Sequence, residues 1–235
     1  MPPGTTTSPP TGSGFPSVGE RMTRPKEALQ ICRAIYAADA PSFTVRCYRI
    51  DHALNYPRPI RAEGIPILVG GSDEIRMLAL VARYADACNL FGDLDTIRHR
   101  FDVLAGPGAA TGRDQVEITK TRLGALVIVP TDAEAARRRR LMVRAWGMDE
   151  ACYRASAIAG GPDALCEQVG GYLEVGLDGM VFNLDNASDF DTVRLAGETL
   201  TRAFVSAGFR PDGRSCVVAA GLEHGRGRGA SGGAC

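Results

Sequence analysis

Apolar residues recur along the chain in two patterns, short unbroken runs and longer stretches with a helical period. The run 65–69 is apolar on both faces and ends at a glycine pair, and the stretch 74–84 then repeats apolar residues every three or four positions. Short apolar runs bounded by turn residues are typical of buried strands, and the longer spacing is typical of amphipathic helices. The predicted strands are 65–69, 87–91, one within 116–129, and 179–184, and the predicted helices are 25–38, 74–84, 94–104, 132–146, 162–175 and 190–204.

This alternation predicts an α/β fold. Strands that are apolar on both faces and alternate with helices favour a parallel sheet covered by helices. Because crossovers of this type are right-handed, successive units would form neighbouring strands of either a closed barrel or an open sheet. The periodicity alone does not distinguish these two architectures. Before this region, residues 42–50 predict an extended excursion or a hairpin arm, and the two prolines within 55–59 predict a loop.

The two ends of the chain lack the periodicity of helices and strands. Residues 1–14 consist largely of Pro, Thr, Ser and Gly, and residues 210–235 end in a Gly/Arg-rich run. Segments of this composition bury too little apolar surface to offset the entropy of ordering. We therefore expect disorder in 1–14 and in 210–235, and one folded domain in 15–209.

Charge and cysteine usage narrow the class of protein. The 27 basic and 27 acidic residues cancel, which gives no electrostatic reason to expect nucleic acid or an anionic membrane as a partner. No run approaches the roughly 20 apolar residues of a membrane span, and the N-terminus lacks the pattern of a secretory signal. The 7 cysteines are scattered without a CxxC pair, and there are only 3 histidines, so neither a disulfide framework nor a metal site is expected. These features favour a reducing cytoplasm.

The turn Gly70, Gly71 and Ser72 is the best candidate for binding chemistry. Glycines let the backbone approach a ligand closely, and the helix that follows offers unpaired N–H groups with a partial positive charge. The alternative is structural, with the glycines forming a tight turn and Ser72 or Asp73 capping the helix. Asp73 and Glu74 favour this alternative, because two carboxylates in the first turn would repel a phosphate. The residues alone leave both interpretations open.

Polar residues also stand at the carboxyl ends of two predicted strands. Asn89 ends the second and Asn183 ends the fourth, where parallel α/β folds carry their ligand sites. A turn-forming role is the alternative, and the residues favour binding for Asn89 while leaving Asn183 undecided. Cys88 is expected in the core. No Ser-His-Asp or Cys-His arrangement stands out, so the catalytic residues are unknown.

Several segments taken together resemble the luciferase-like monooxygenase superfamily, and most closely its F420-dependent oxidoreductase clade, whose coenzyme is a deazaflavin. They occur in the family's order and cover nearly all of 15–204. These segments are 15–21, 27–34, 41–43, 48–50, 53–55, 57–59, 66–72, 80–89 and 179–184.

The resemblance implies a (β/α)8 TIM barrel of bacterial-luciferase type, a coenzyme that is F420 or alternatively FMN, and a small organic substrate. The family's turn after its fifth strand is similar to Gly70, Gly71 and Ser72 and helps to hold the phosphate end of the coenzyme. Asn89 matches a position that lines the same mouth. The resemblance therefore implies that these four residues bind the coenzyme.

The chain departs from the family in length. A complete barrel needs eight strands and about 250 residues, whereas only about four parallel strands are predicted, all matching the family's C-terminal half. We therefore expect the C-terminal half of a barrel, truncated and lacking the N-terminal half of the active site. The open edges and interior of a half barrel invite association, so the alternative is a non-catalytic remnant or a self-associating protein, a homo-oligomer through its exposed edges.

Overall fold

The computed structural model describes residues 17–71, 74–111, 113–184, 187–208 and 217–220. The chain divides into two compact units, with the boundary between Ile65 and Pro66. Each unit is described separately below.

The first unit combines one long helix with a small hairpin. Ser17 caps the helix, since its side chain accepts a hydrogen bond from the Glu20 N–H at 3.2 Å. The helix therefore begins seven residues before the predicted start at 25, and Pro25 lies inside it rather than in its first turn. The elements are α1 (Val18–Ala37), β1 (Phe43–Thr44) and β2 (Arg49–Ile50), and the two strands pair antiparallel.

A buried carboxylate fastens the hairpin to this helix. Glu27 is buried, and its Oε2 accepts a hydrogen bond from the Cys47 N–H at 2.7 Å. Charge-assisted bonds of this kind are stronger than neutral ones, which offsets part of the cost of burying the carboxylate. Residues 42–50, predicted as an extended excursion or a hairpin arm, form the hairpin, and residues 51–65 contain neither helix nor strand.

The second unit is built on a parallel sheet. Its strands follow the order β3-β4-β5-β7-β8, and β6 pairs with β5. All these pairings are parallel, as the unbroken apolar runs predicted. The strands are β3 (Leu68–Gly70), β4 (Ala87–Leu90), β5 (Thr119–Ile128), β6 (Ala157–Gly160), β7 (Gly179–Leu184) and β8 (Val217–Ala220).

Helices connect successive strands and cover one face of the sheet. The core consists of buried apolar side chains from that face and from the inner sides of the second, third, sixth and seventh helices. Among the largest of them are Ile97, Leu165 and Phe182. The helices are α2 (Glu74–Tyr84), α3 (Leu94–Thr111), α4 (Asp132–Trp146), α5 (Glu150–Ser156), α6 (Pro162–Glu174) and α7 (Phe190–Ser206).

The long strand β5 organises the sheet. Its first part, 119–122, pairs with β4, and its last part, 125–128, pairs with β6. Because β7 pairs with the overlapping stretch 121–126, β4 and β6 must share the other edge of β5, one after the other. The carboxyl end of β4 therefore stops about halfway along β5.

Two aspartates tie neighbouring strands together at their amino ends. Asp86 precedes β4 and accepts a hydrogen bond from the Ile67 N–H at 2.7 Å. Asp178 precedes β7 and accepts one from the Lys120 N–H, also at 2.7 Å. In barrel folds this end of the strands serves stability, whereas the carboxyl end carries function. These two aspartates therefore belong to the scaffold.

The predicted helices 74–84 and 132–146 and the strand 179–184 have the predicted bounds. Helix α3 differs from the prediction, because it continues through Gly106 to Thr111 instead of stopping before the glycine. Local propensity is a weak constraint, and buried Ile97 and Leu104 anchor this helix to the core. Helix α5 and strands β6 and β8 were not predicted. Strand β8 lies within 210–235, where no strand was predicted.

Candidate functional site

The sheet has a second face that points away from α2, α3, α6 and α7, and the predicted site residues lie there. Val69 packs on the helix-covered core, and its register partner Cys88 is buried in that core. Since successive side chains on a strand alternate between faces, Leu68, Gly70 and Asn89 belong to the other face. Leu68 is 53% exposed, so this open face is accessible along β3.

The two glycines of the predicted turn have different surroundings in the structure. A Cβ added at Gly70 would lie 3.5 Å from the Asn89 carbonyl oxygen and 3.7 Å from the Asn89 Cβ, which are ordinary contacts. Neither crowding nor a left-handed backbone requires glycine at position 70. A Cβ at Gly71 would lie 3.0 Å from two atoms of Met77, so this glycine has a packing reason. Ser72 lies outside the described residues.

Asn89 is placed directly beside Gly70 by the strand register. It is half-buried, and its Oδ1 lies 2.9 Å from the Thr121 Oγ, which donates to it. Thr121 is the register partner of Asn89 on β5, and it is buried. Gly70, Asn89 and Thr121 therefore form a row across three neighbouring strands on the open face.

Asn183 does not join this row. It pairs with Ala125 of β5, whereas Asn89 pairs with Thr121, four residues earlier on the same strand. At about 3.3 Å per residue, this offset places the two asparagines roughly 13 Å apart along the strand direction alone. Asn89 and Asn183, both expected at the ligand-binding ends of their strands, therefore lie at different heights along the strand direction.

The cations next to this row lie on the opposite face. Lys120 and Arg122 pair with Cys88 and Leu90, so both belong to the helix-covered side. Neither of these two cationic side chains is therefore placed to bind an anion at Gly70.

Arg122 is a fully buried cation, with 0% of the residue exposed. Its Nε donates to the Gly92 carbonyl at 2.8 Å, its Nη2 donates to the Ala155 carbonyl at 3.0 Å, and its guanidinium stacks on the Tyr172 ring at 4.6 Å. Among the described residues its Nη1 has no hydrogen-bond partner. Burial lowers the pKa of this guanidinium, while Tyr172 and Asp93 raise it. Arg122 thus joins the end of β4, the end of α5 and α6.

Cys88 is not available as a nucleophile. Its thiol is buried in the core, and this burial raises its pKa from the usual 9.0 to about 11. The thiolate is the reactive form of cysteine, and it is absent near neutral pH at such a value. The expectation that Cys88 packs in the core is confirmed.

A cavity of about 350 Å³ lies elsewhere, between α4, α5, β6 and α6. It contains none of the predicted site residues. At its edge the Gly161 N–H donates to Asp132 Oδ1 at 2.7 Å, and Gly161 is the N-cap residue of α6, which has no side-chain cap hydrogen bond. Gly160 is the last residue of β6, so the strand leads into α6 through Gly161 alone.

Sequence reasoning missed both Thr121 and Arg122. The available signal was the run of four polar residues at 119–122, which opens an otherwise apolar strand. Which neighbours these side chains contact depends on pairing between strands about 30 residues apart, and the sequence pattern does not specify that pairing.

Comparison with known families shows to which family the chain belongs. The sequence model of the luciferase-like monooxygenase family matches residues 9–176, which is more than half of the chain. The chain belongs to the luciferase-like monooxygenase family. No curated protein sequence matches it significantly.

Solved structures show the same fold. The chain is similar to an F420-dependent secondary alcohol dehydrogenase in complex with an F420-acetone adduct, with a TM-score of 0.69, 14% identity, and coverage of 81% of this chain and 64% of that one. It is similar to the EDTA monooxygenase of Chelativorans sp. BNC1 (0.64, 14%, 86% and 67%). It is also similar to the coenzyme F420 dependent tetrahydromethanopterin reductase of Methanopyrus kandleri (0.62, 15%, 80% and 65%). The chain thus spans about two thirds of the length of these structures.

These likenesses confirm the predicted fold class, part of a (β/α)8 barrel of bacterial-luciferase type. At identities of 14–15% these similarities show a shared fold and do not show a shared reaction. None of the helices in the described ranges is long and apolar enough to cross a membrane. The same ranges hold no group of three or more His, Cys, Asp or Glu side chains that could bind a metal ion.

Proposed function

We propose that this chain binds a flavin-type coenzyme on the open face of its sheet and acts as a luciferase-like oxidoreductase in the cytoplasm. Gly70, Gly71, Ser72 and Asn89 are the proposed coenzyme-binding residues. The observation that carries the proposal is the missing side chain at position 70. Nothing among the described residues requires glycine there, so we attribute the glycine to the close approach of a ligand beside Asn89.

The coenzyme proposed first is F420, with FMN as the alternative. Two of the three similar structures named above are F420-dependent enzymes. The bound coenzyme would supply hydride transfer or oxygen activation, and the protein would supply position and hydrogen bonds. The backbone at Gly70 allows close approach of an anionic or carbonyl group, and the Asn89 amide offers a neutral hydrogen-bond partner beside it. The substrate proposed is a small organic molecule.

The test is titration of the purified full chain with F420 and with FMN, followed by coenzyme fluorescence. A Gly70→Val variant should weaken binding at least tenfold, because a β-branched residue suits a strand but blocks the close approach of a ligand to the backbone beside Asn89. Leu68→Val, two residues earlier on the same face, is the matched control and should bind normally. Thermal unfolding by circular dichroism should show that both variants fold. Failure of the wild type to bind either coenzyme at millimolar concentration contradicts the proposal.

A second candidate is a self-associating protein without catalytic activity. It is favoured by Leu68, a large apolar side chain that is 53% exposed on the short strand β3 at the end of the strand order. An apolar edge of this kind is a template for pairing with another chain. Sedimentation equilibrium decides the point, and a monodisperse monomer that turns over substrate would exclude this candidate.

A further inference from the structure

We infer that Thr121 is a positioning residue for the coenzyme site, because its hydroxyl holds the Asn89 side-chain amide in one orientation. This inference rests on the proposed function, in which Asn89 contacts the coenzyme. It adds a residue that the sequence did not single out, and it states the chemistry that the Asn89 side chain offers.

The Thr121 hydroxyl lies between two acceptors. Its Oγ is 2.9 Å from Asn89 Oδ1 and 2.9 Å from the Cys88 carbonyl oxygen. A threonine hydroxyl has one proton to donate, so it cannot make two full hydrogen bonds as a donor. The orientation of the Asn89 amide depends on which acceptor receives that proton.

The strand ladder favours Asn89 as the acceptor. The Thr119 N–H donates to the Asp86 carbonyl at 3.0 Å. In a parallel ladder such bonds recur at every second residue. The register continues unbroken through Thr121, so the Thr121 N–H donates to the Cys88 carbonyl. Asn89 Oδ1 receives no other hydrogen bond from the described residues. The hydroxyl proton is therefore better placed on Oδ1, which would otherwise remain half-buried without a partner.

The consequence is a defined polarity at the site. With Oδ1 engaged by Thr121, the Asn89 NH2 group is the part of the amide that remains available. A ligand atom that contacts Asn89 must then be an acceptor, such as a carbonyl oxygen, a ring nitrogen or a phosphate oxygen. Without the hydroxyl the amide can rotate by 180°, so the donor is presented only part of the time and affinity falls.

A double-mutant cycle on binding separates this role from a merely structural one. Thr121→Val keeps the shape of the side chain and removes the hydroxyl, and Asn89→Ala removes the amide. The dissociation constants of F420 and FMN are measured for the wild type, both single variants and the double variant. We expect Thr121→Val to weaken binding by about tenfold and to have no further effect in the Asn89→Ala background. Thr121→Ser should bind within about threefold of the wild type because it retains the hydroxyl.

Thr119→Val is the matched control, since Thr119 lies two residues earlier on the same strand and face and pairs with Ala87 instead of Asn89. It should bind like the wild type. If Thr121→Val weakens binding by the same factor with and without Asn89, or does not weaken it, the positioning role is overturned while the proposed function stands. If the wild type binds neither coenzyme, both fall together. Thermal unfolding of each variant identifies any loss that comes from misfolding.

Discussion

Replacement of Gly124 by alanine should destabilise the second unit severely, because of the buried cation beside it. A Cβ at position 124 would lie 2.3 Å from Arg122 Nη1 and 3.0 Å from the Ser156 carbonyl oxygen. The end of an exposed arginine could move aside at little cost. This guanidinium cannot, since it is fully buried, bonded to two carbonyls and stacked on Tyr172.

The cost follows from the contacts that the guanidinium would lose. Hydrogen bonds from a charged donor contribute about 1.5–3 kcal/mol each, and a desolvated cation–π contact contributes about 2 kcal/mol. Replacing glycine returns about 0.4–1 kcal/mol through the unfolded chain. If one hydrogen bond and part of the stacking are lost, the free energy of unfolding should fall by about 3 kcal/mol, a large share of the 5–15 kcal/mol typical of a domain.

The assay is equilibrium unfolding in urea, followed by circular dichroism, with Gly124→Ala made both in the wild type and in an Arg122→Met background. In that background the main clash is gone, so the same substitution should cost less than about 1 kcal/mol, a coupling of roughly 2 kcal/mol. Gly170→Ala in α6 is the control, because its Cβ would meet nothing within 4 Å. It should raise stability by about 0.5–1 kcal/mol. An equal cost of Gly124→Ala in both backgrounds would refute the argument.

Two further predictions concern the core thiol and the open face. Because burial raises the pKa of Cys88 from 9.0 to about 11, the folded state holds this proton more tightly than the unfolded state. The stabilisation that the buried thiol contributes is complete below pH 9 and is lost as the pH rises to 11, on the order of 3 kcal/mol for two pKa units. Urea unfolding of Cys88→Ala between pH 8 and 11 should therefore be less pH-dependent than that of the wild type. Leu68→Lys should lower any self-association seen by sedimentation equilibrium, and an unchanged association constant would exclude the β3 edge as the interface.

Local pattern was sufficient for much of the secondary structure. The apolar spacing of 74–84 and 132–146, and the apolar run of 179–184, predicted elements whose bounds the structure reproduces. It was insufficient for 150–160, where a short helix runs directly into strand β6. Strand β6 exists because it pairs with the last four residues of β5, about 30 residues earlier, and so compact a segment carries no clear period of its own.

The candidate site divides in the same way. Family resemblance pointed to Gly70, Gly71, Ser72 and Asn89, and residue chemistry explained why glycines and an amide suit a coenzyme. Whether each glycine has a packing reason could be judged only from its neighbours, because a Cβ at Gly71 would crowd Met77 while a Cβ at Gly70 would make only ordinary contacts. The partner of Asn89 likewise came only from the structure, since it depends on strand register.

The sequence by itself therefore determined the type and order of most elements, the parallel character of the sheet and the family, because these depend on periodicity and on short motifs. Tertiary structure alone decided the register that places Thr121 on Asn89, the separation of Asn183 from that row, and the burial of Arg122 beneath Tyr172. The physical reason is that pairing between distant strands aligns residues with no regular spacing in the chain. A shift of register would change every one of these contacts.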